Sequence, residues 1–395
     1  MIFVQEHQSK PAILGGKPIC QEPMGIVQPN FPDLATIAEP LSAMLNAGQL
    51  TNHCRYVPTL EEELTMYLHV PHCVAVSNGT MGLILALAGL QLTGEVILPS
   101  FTYSATAHAL AWAELEPVFA DICPDTFNLD PQAVEAAITP NTSAILAVHV
   151  YGHPCDVEGL QRVAERYDLA LIFDAAHAFG ATYRGRPIGG FGHAEVFSFH
   201  ATKLFPVGEG GCVTTTDPQL AEYVDLARKF GNPGGDDTLF PGLNAKMQEF
   251  NALLGLENLK AISQVIENRR AYAAQIQERL SQLPGLCFQK VQPDVTVTYQ
   301  NLALLIDEGL FGLSRDKLHK GLEVENVLTR KYFYPPLHQH TAYAKRVHSS
   351  IESLPCTEKI ANNVLCLPIY SIMEEETIDR LCEAIERLHQ WSAMM

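Results

Sequence analysis

Two strand ends near the middle of the chain constrain the fold most strongly, because each is followed by a chemically reactive side chain. The apolar run 169–173 predicts a buried strand that ends on Asp174. Residues 195–199 predict a second strand, and Lys203 follows it closely. Ligands of α/β proteins bind beyond the carboxyl ends of the strands. The sequence therefore predicts a binding site at this edge of a sheet.

Strands and helices alternate over most of the chain, which predicts an α/β fold with a mainly parallel sheet covered by helices. The predicted strands of this sheet are 73–76, 95–99, 117–121, 143–150, 169–173, 195–199 and 212–216, with helices at 81–92, 104–114, 131–138 and 157–167. The pattern changes past a long helix that is predicted at 247–283. Strands at 295–306 and 324–328 and an amphipathic helix at 374–391 predict a smaller α+β unit.

The length of the chain predicts more than one domain, because 395 residues exceed the usual size of a single hydrophobic core. We expect an extended N-terminal arm at 1–30, which is rich in Pro and Gly. A large domain at 31–255 would carry both reactive strand ends. A small C-terminal domain at 256–395 would begin with the linking helix.

Composition excludes several classes of function. Acidic residues outnumber basic ones by 44 to 26, and the net charge of −18 argues against a nucleic-acid-binding surface. The ten cysteines form no C-x-x-C pair, so no metal site or disulfide framework is predicted and a reducing cytoplasm is expected. No apolar run reaches the ~20 residues of a membrane helix, and the first residues lack the pattern of a signal peptide.

Asp174, Ser198 and Lys203 together suit pyridoxal 5'-phosphate (PLP). A lysine amine can bind the aldehyde of PLP covalently. A carboxylate beside the pyridine nitrogen keeps the ring protonated, and the protonated ring is an electron sink. A hydroxyl group can hold a phosphate oxygen. Each of these residues alone is more often a cap or a turn residue, but their combined spacing favours a PLP site.

A strand–turn–helix unit around Gly79 and Thr80 is a second candidate for phosphate binding. The first N–H groups of a helix have no partner within it and attract anions. A plain helix cap explains Thr80 as well, and it is the favoured explanation from these residues in isolation. Tyr103 follows the strand at 95–99 and could stack on a flat ring, although a core aromatic is equally consistent.

The sequence resembles the DegT/StrS family of PLP-dependent, fold-type I sugar aminotransferases. The resemblance rests on the block DAAHAFGATYRG from Asp174 onwards, FSFHATK ending at Lys203, and EGG at 209–211. Further blocks follow in family order over 30–260: SNGT, PSFTYSAT, PVFADI, TFNLDP, VHVYGHP and GLNAKMQE. The resemblance implies an aspartate-aminotransferase-like fold with a seven-stranded sheet. It also implies a homodimer with shared active sites.

The resemblance assigns roles to single residues. Lys203 would carry PLP and shuttle the proton, and Asp174 would pair with the pyridine nitrogen. His177 stands where many relatives have Gln, and it would contact the phenolic oxygen or stack near the ring. Tyr103 would stack on the ring. The residues that would hold the phosphate are Gly79, Thr80, Ser198 and, from the neighbouring subunit, Asn244, for which a helix cap is an equal explanation.

The same resemblance implies a nucleotide-linked deoxy-keto-hexose as the acceptor, aminated at C4 rather than C3, and glutamate or glutamine as the amino donor. Candidate substrate contacts are His200 and, in the basic, aromatic loop 329–338, Arg330, Tyr332, Tyr334 and His338. A core histidine and a solvated loop would explain these residues equally well.

Other functions stay open or are disfavoured. A cyclitol or another ketone as acceptor stays open. Deoxygenating relatives carry His in place of the lysine, so Lys203 disfavours that reaction. A non-catalytic PLP-fold sensor is disfavoured by the intact set of Asp174, Ser198 and Lys203. A dehydrogenase is not predicted, because no G-x-G-x-x-G follows the first strand.

Overall fold

The computed structural model describes residues 10–52, 54–344 and 353–394, so the first nine residues of the predicted arm lie outside the described residues. The helices are α1 (Leu34–Ala47), α2 (Tyr56–Leu68), α3 (Gly79–Gly89), α4 (Ser104–Trp112), α5 (Pro131–Ala137), α6 (Val157–Tyr167), α7 (Pro218–Ala227), α8 (Glu249–Leu259), α9 (Ile262–Leu280), α10 (Glu308–Phe311), α11 (Arg315–Val324), α12 (Pro355–Asn363) and α13 (Glu375–Gln390). The strands are β1 (His72–Val76), β2 (Glu95–Pro99), β3 (Glu116–Ala120), β4 (Thr142–Val148), β5 (Ala170–Asp174), β6 (Thr182–Tyr183), β7 (Arg186–Pro187), β8 (Ala194–Ser198), β9 (Gly211–Thr215), β10 (Leu286–Phe288), β11 (Val295–Thr296), β12 (Leu302–Ile306) and β13 (Val364–Leu367).

A seven-stranded sheet with the order β1-β9-β8-β5-β4-β2-β3 forms the centre of the molecule. Strands β8, β5, β4, β2 and β3 run parallel, whereas β9 is antiparallel to both of its neighbours. Every residue of β2 and β9 is buried, as expected for a sheet with both faces covered. The predicted α/β class with a mainly parallel sheet is confirmed.

Helices cover the two faces of this sheet and form a separate core on each. On one face, Leu60 of α2 and Leu253 of α8 pack in the same cluster as Phe173 of β5. On the other face, α3 lies against β8 and β9 and is covered by α4 and α7. Helix α3 carries no charged side chain, because it is enclosed by the sheet and by these two helices.

The C-terminal part has a core of its own around the antiparallel sheet β10-β12-β13. Side chains of α9, α11 and α13 fill this core, among them Ile276, Leu318 and Leu381. Cys20 and Met24, from the predicted arm, are buried in the same cluster. The domain division expected from the sequence stays a prediction.

The single helix predicted at 247–283 is wrong, because the structure has two helices, α8 and α9, that meet at Lys260 and Ala261. Helix α8 buries Leu253 against the large sheet, whereas α9 buries Ile276 in the C-terminal core. The helix is interrupted at Lys260 and Ala261, although Ile262 at the start of α9 still packs in the same core as α8. An apolar period along the sequence does not report such an interruption.

Two strands predicted in the C-terminal part are also wrong. The strand predicted at 295–306 is two strands, since β11 pairs with β6 whereas β12 pairs with β10 and β13. The strand predicted at 324–328 begins as the last turn of α11 and continues in a turn at Asn326, whose φ is +60°. Val327 forms an isolated bridge with Met24. Within the described ranges, no helix is both long enough and apolar enough to cross a membrane.

Glu249 joins α8 to the start of α2. Its carboxylate is fully buried and accepts hydrogen bonds from the backbone N–H groups of Cys54 (2.8 Å), Arg55 (3.1 Å), Tyr56 (2.6 Å) and Val57 (3.3 Å). Helix α2 has no side-chain cap of its own. The carboxylate therefore supplies the acceptor and the negative charge that a helix N-terminus favours.

We expect Glu249→Gln to lower the free energy of unfolding by about 2 kcal/mol, because an amide offers these donors one oxygen and no charge. Urea unfolding followed by circular dichroism measures the change. The control is Glu376→Gln, since Glu376 pairs with Arg380 on an exposed face of α13 and should contribute less than about 0.5 kcal/mol. A loss for Glu249→Gln that is no larger than this control value would contradict the anchoring role.

Candidate active site

A cavity of about 670 Å³ opens at the carboxyl edge of the large sheet, beyond β1, β2, β4, β5 and β8. The edge is where the sequence predicts a site, because polar residues follow each of these strands. The predicted site residues that line the cavity are Gly79, Thr80, Tyr103, Asp174, His177, Ser198, His200, Lys203 and Tyr332.

Asn244 and Arg330 are not among the residues that line this cavity. Asn244 is exposed and forms a backbone bridge with Lys229. Arg330 is also exposed, and its backbone pairs with that of Cys366 beside β13. The roles of both residues stay predictions.

Tyr334 and His338 also lie outside the lining of the cavity. Tyr334 is exposed, and the guanidinium of Arg315 lies 4.5 Å from its ring centroid. His338 Nδ1 is hydrogen-bonded to the hydroxyl of Ser100 (2.7 Å), and Nε2 lies 3.3 Å from Glu358. In this arrangement His338 ties the 329–338 loop to the end of β2.

Asp174 ends β5 and is the buried carboxylate of the site. Its Oδ2 accepts a hydrogen bond from the hydroxyl of Thr106 (2.8 Å), and Oδ1 accepts one from the N–H of Ala176 (3.0 Å). Burial raises the pKa of Asp174, while these two bonds and the charge of Lys203 oppose the rise. A carboxylate has about four acceptor positions, so Asp174 can accept further donors from a ligand.

Lys203 lies in the connection between β8 and β9 and faces the same cavity. Burial lowers the pKa of Lys203 to about 8, and the carboxylate of Asp174 opposes this shift. An ordinary lysine is almost fully protonated at this pH. Lys203 therefore has a substantial neutral, nucleophilic fraction near pH 8.

His177 is held in one orientation by the chain around it. Its Nδ1 accepts a hydrogen bond from the N–H of Tyr151 (3.3 Å), so the proton of the neutral ring is on Nε2. Burial and then the charge of Lys203 lower the pKa of His177 well below its usual range, which keeps the ring neutral. Tyr151 and Phe333 lie nearly parallel to it, with centroids at 6.3 Å and 6.1 Å. His177 thus offers one N–H donor to a ligand.

A narrow cradle at the start of α3 depends on two glycines. A Cβ atom on Gly79 would lie 3.1 Å from Cβ of Ser198, and one on Gly211 would lie 2.9 Å from the nitrogen of Gly79. Asn78 accepts from the N–H of Met81 (2.9 Å), which caps the helix. The first N–H groups of α3 have no acceptor within the helix, and Ser198 lines the cavity beside Gly79. This arrangement suits an anion.

Several residues of the site were not found from the sequence. Thr106 lies in the block PSFTYSAT and donates to Asp174, but no local pattern indicates this contact because the two residues are 68 positions apart. Val27 and Phe333 also line the cavity. Val27 comes from the N-terminal part of the chain, where no local pattern indicates a site, whereas Phe333 lies in the 329–338 loop that was predicted to contact the substrate. Within the described ranges, no cluster of side chains suits a metal ion.

The fold and the side chains at this sheet edge define the class of the protein, which is that of the fold-type I aminotransferases. A model of the DegT/DnrJ/EryC1/StrS aminotransferase family matches residues 33–386. The chain therefore belongs to that family, as its sequence blocks indicated.

Two relatives and one solved structure illustrate the similarity. The dTDP-4-amino-4,6-dideoxy-D-glucose transaminase of Escherichia coli is 36% identical, covering 91% of this chain and 97% of the relative. The dTDP-3-amino-3,4,6-trideoxy-alpha-D-glucose transaminase of Streptomyces venezuelae is 35% identical, with the same two coverages. The crystal structure of DesI in the presence of its TDP-sugar product superposes with a TM-score of 0.90 at 40% identity, covering 97% of this chain and 96% of that chain.

We expect competitive acetylation of Lys203 in the PLP-free protein to rise with pH with a midpoint near 8, since the neutral amine reacts and the protonated amine does not. Trace acetic anhydride and mass spectrometry of the Lys203 peptide measure the profile. Asp174→Asn should lower this midpoint, because the carboxylate raises the pKa of Lys203. A midpoint that stays the same or rises in this variant would contradict the coupling of the two groups.

Proposed function

We propose that this protein transfers an amino group from glutamate or glutamine to the C4 keto carbon of a nucleotide-linked deoxy-keto-hexose, with PLP as cofactor. The observation that carries the proposal is that Lys203, Asp174 and the cradle at the start of α3 line one cavity. The Escherichia coli relative is named for a 4-amino sugar, which supports C4. The Streptomyces venezuelae relative is named for a 3-amino sugar, so C3 is the alternative.

The residues of the cavity fit PLP. Gly79, Thr80 and Ser198 would hold the phosphate, because backbone N–H groups and a hydroxyl suit an anion there. Asp174 has unused acceptor positions for the protonated ring nitrogen. The volume of about 670 Å³ is within the usual range of ligand pockets, and it leaves room for a sugar beside the cofactor.

When bound, PLP supplies the electron sink that makes a negative charge on the amine-bearing carbon tolerable. Asp174 would maintain that sink by holding a charged acceptor against the ring nitrogen. Lys203 Nζ would move the proton, since burial lowers its pKa to about 8 and leaves the amine neutral in part of the molecules. His177, with its N–H on Nε2, would contact the phenolic oxygen or stack near the ring.

Two aromatic residues form part of the wall of the cavity. Tyr103 is 61% exposed, so its ring is available to stack on a flat ligand. Tyr332 accepts a hydrogen bond at its carbonyl oxygen from the hydroxyl of Tyr151, which supports its place at the cavity. His200 and Glu209 also line the cavity and lie 3.6 Å apart. We propose that these polar groups bind the hydroxyl groups of the hexose.

The proposal includes a homodimer in which Asn244 of one copy completes the phosphate site of the other. Asn244 is exposed and outside the cavity of its own chain, as that role requires. Large apolar side chains near it in the sequence are also exposed, namely Phe230 (48%), Leu239 (63%) and Leu243 (39%). Exposed apolar surface of this kind is typical of subunit contacts.

We expect the protein loaded with PLP to convert its cofactor to the amino form when L-glutamate or L-glutamine is added, with a change in its visible absorption. Lys203→Ala should lower the rate constant by at least about 10³-fold, because it removes the proton-transferring group. Stopped-flow absorbance measures the rate. A second lysine variant, Lys260→Ala, is the control, since Lys260 pairs with Glu257 on the surface.

The acceptor is decided in a second step, in which the amino form is mixed with dTDP-linked 4-keto and 3-keto dideoxyhexoses. Consumption of the amino form by the 4-keto sugar supports C4, whereas consumption by the 3-keto sugar alone overturns it. A cyclitol ketone serves as the comparison for the other open acceptor class.

If Lys203→Ala reacts with glutamate as fast as Lys260→Ala, the role of Lys203 is wrong.

Shared sites predict complementation between two impaired variants. Lys203→Ala and Asn244→Asp should each be nearly inactive alone, the second because a carboxylate repels the phosphate. Random pairing after co-expression gives about half heterodimers, each with one intact site, so the mixture should reach about one quarter of the wild-type activity. Activity no higher than the sum of the parent variants would contradict sites shared between subunits.

A further inference from the structure

We propose that Gln300 is a positioning residue for Lys203, because its side chain holds the backbone on both sides of that lysine. The inference rests on the proposed role of Lys203. Gln300 follows β11 and precedes β12, in the C-terminal part of the chain. Nothing in its local sequence distinguishes it from an ordinary polar loop residue.

The segment that carries Lys203 has little regular structure to hold it. It joins β8 and β9 over residues 199–210, and the described backbone bonds close to the lysine are few. The N–H of Lys203 donates to the carbonyl of His200 (2.8 Å), and the N–H of Ala201 donates to the carbonyl of Gly208 (2.8 Å). The peptide groups on either side of Lys203 therefore need partners from elsewhere in the chain.

Gln300 supplies both of these partners. Its Oε1 accepts a hydrogen bond from the N–H of Leu204 (2.7 Å), and its Nε2 donates to the carbonyl of Thr202 (3.0 Å). Gln300 is 5% exposed, so both bonds are protected from water. One carboxamide thus fixes the peptide groups before and after Lys203, and with them the direction of its side chain.

Other carboxamides hold the next part of the same segment. Asn258 donates to the carbonyl of Pro206 (2.6 Å), and Asn251 donates to the carbonyl of Val207 (2.7 Å). Both come from α8 and act three or four residues beyond the lysine. Gln300 is therefore the carboxamide whose contacts adjoin Lys203 directly.

Gln300 is itself held by a buried arginine on α9. Arg269 is 3% exposed, and its guanidinium donates to the carbonyl of Tyr299 (2.7 Å and 3.1 Å) and to that of Gln300 (3.1 Å). Burying a cation is costly unless its donors are satisfied. The segment 298–300 also contacts the turn after β5 that carries His177, since Thr298 Oγ1 donates to the carbonyl of His177 (3.5 Å).

The test replaces Gln300 with Met, which keeps the length of the side chain and removes both hydrogen bonds. The rate constant of the half-reaction with L-glutamate should fall by about 100-fold in the PLP-loaded protein, because misplacement by about 1 Å has effects of that size. Gln300 lines the cavity, but its carboxamide is directed to the backbone of Thr202 and Leu204, so the apparent dissociation constant of glutamate should change by less than about 3-fold.

The matched control is Gln289→Met. Gln289 is half-buried and donates to the carbonyl of Thr126 and, at 3.4 Å, to that of Val150, so the variant loses carboxamide–carbonyl bonds outside the Lys203 segment. Its rate constant should stay within about 2-fold of wild type. Circular dichroism verifies folding, and Gln300→Asn, whose shorter side chain cannot span both peptide groups, replaces Gln300→Met if the latter does not fold.

A second readout does not depend on amino transfer. In the PLP-free protein, the midpoint of Lys203 acetylation should move upward in Gln300→Met, because a lysine that is less firmly held becomes more hydrated. A rate loss no larger than that of Gln289→Met, together with an unchanged midpoint, overturns the positioning role. A shifted midpoint in a protein whose wild type reacts with neither glutamate nor glutamine supports the positioning role and overturns the proposed donors.

Discussion

The buried carboxylate of Asp174 is the constraint on which the rest of the site depends. A carboxylate inside a protein is tolerated where hydrogen bonds and an opposite charge compensate for lost hydration. Thr106, the N–H of Ala176 and the amine of Lys203 supply these, and each comes from a different segment. The parallel order of β2, β4, β5 and β8 brings these segments together at one edge of the sheet.

The C-terminal part of the chain completes the same site. Phe333 lies parallel to His177 at the wall of the cavity, and Gln300 and Thr298 bond to the two turns that carry the reactive residues. The lysine and the histidine are thus oriented by a segment that follows them by about a hundred positions.

The residues of the site that could be predicted from the sequence are those marked by local patterns, whereas residues whose contacts are distant in the sequence could not be predicted. Asp174, Ser198 and Lys203 follow strands with clear apolar patterns, and the structure brings all three to the predicted sheet edge. The cavity also contains Gly79 and Thr80, whose place at a helix start was visible in the sequence. Gln300 could not be found in this way, because its partners are almost a hundred residues distant. The division of the predicted helix 247–283 was missed, because an apolar period does not report the interruption at Lys260 and Ala261.

The sequence by itself determined the class of fold, the family and the order of reactive residues along the strands, because these depend on local patterns and on blocks of adjacent residues. The tertiary structure alone decided that the pKa of Lys203 is lowered, that His177 carries its proton on Nε2, and that Gln300 holds the lysine segment. Burial and hydrogen bonding of this kind depend on neighbours in space. Such neighbours exist only once distant segments have packed together.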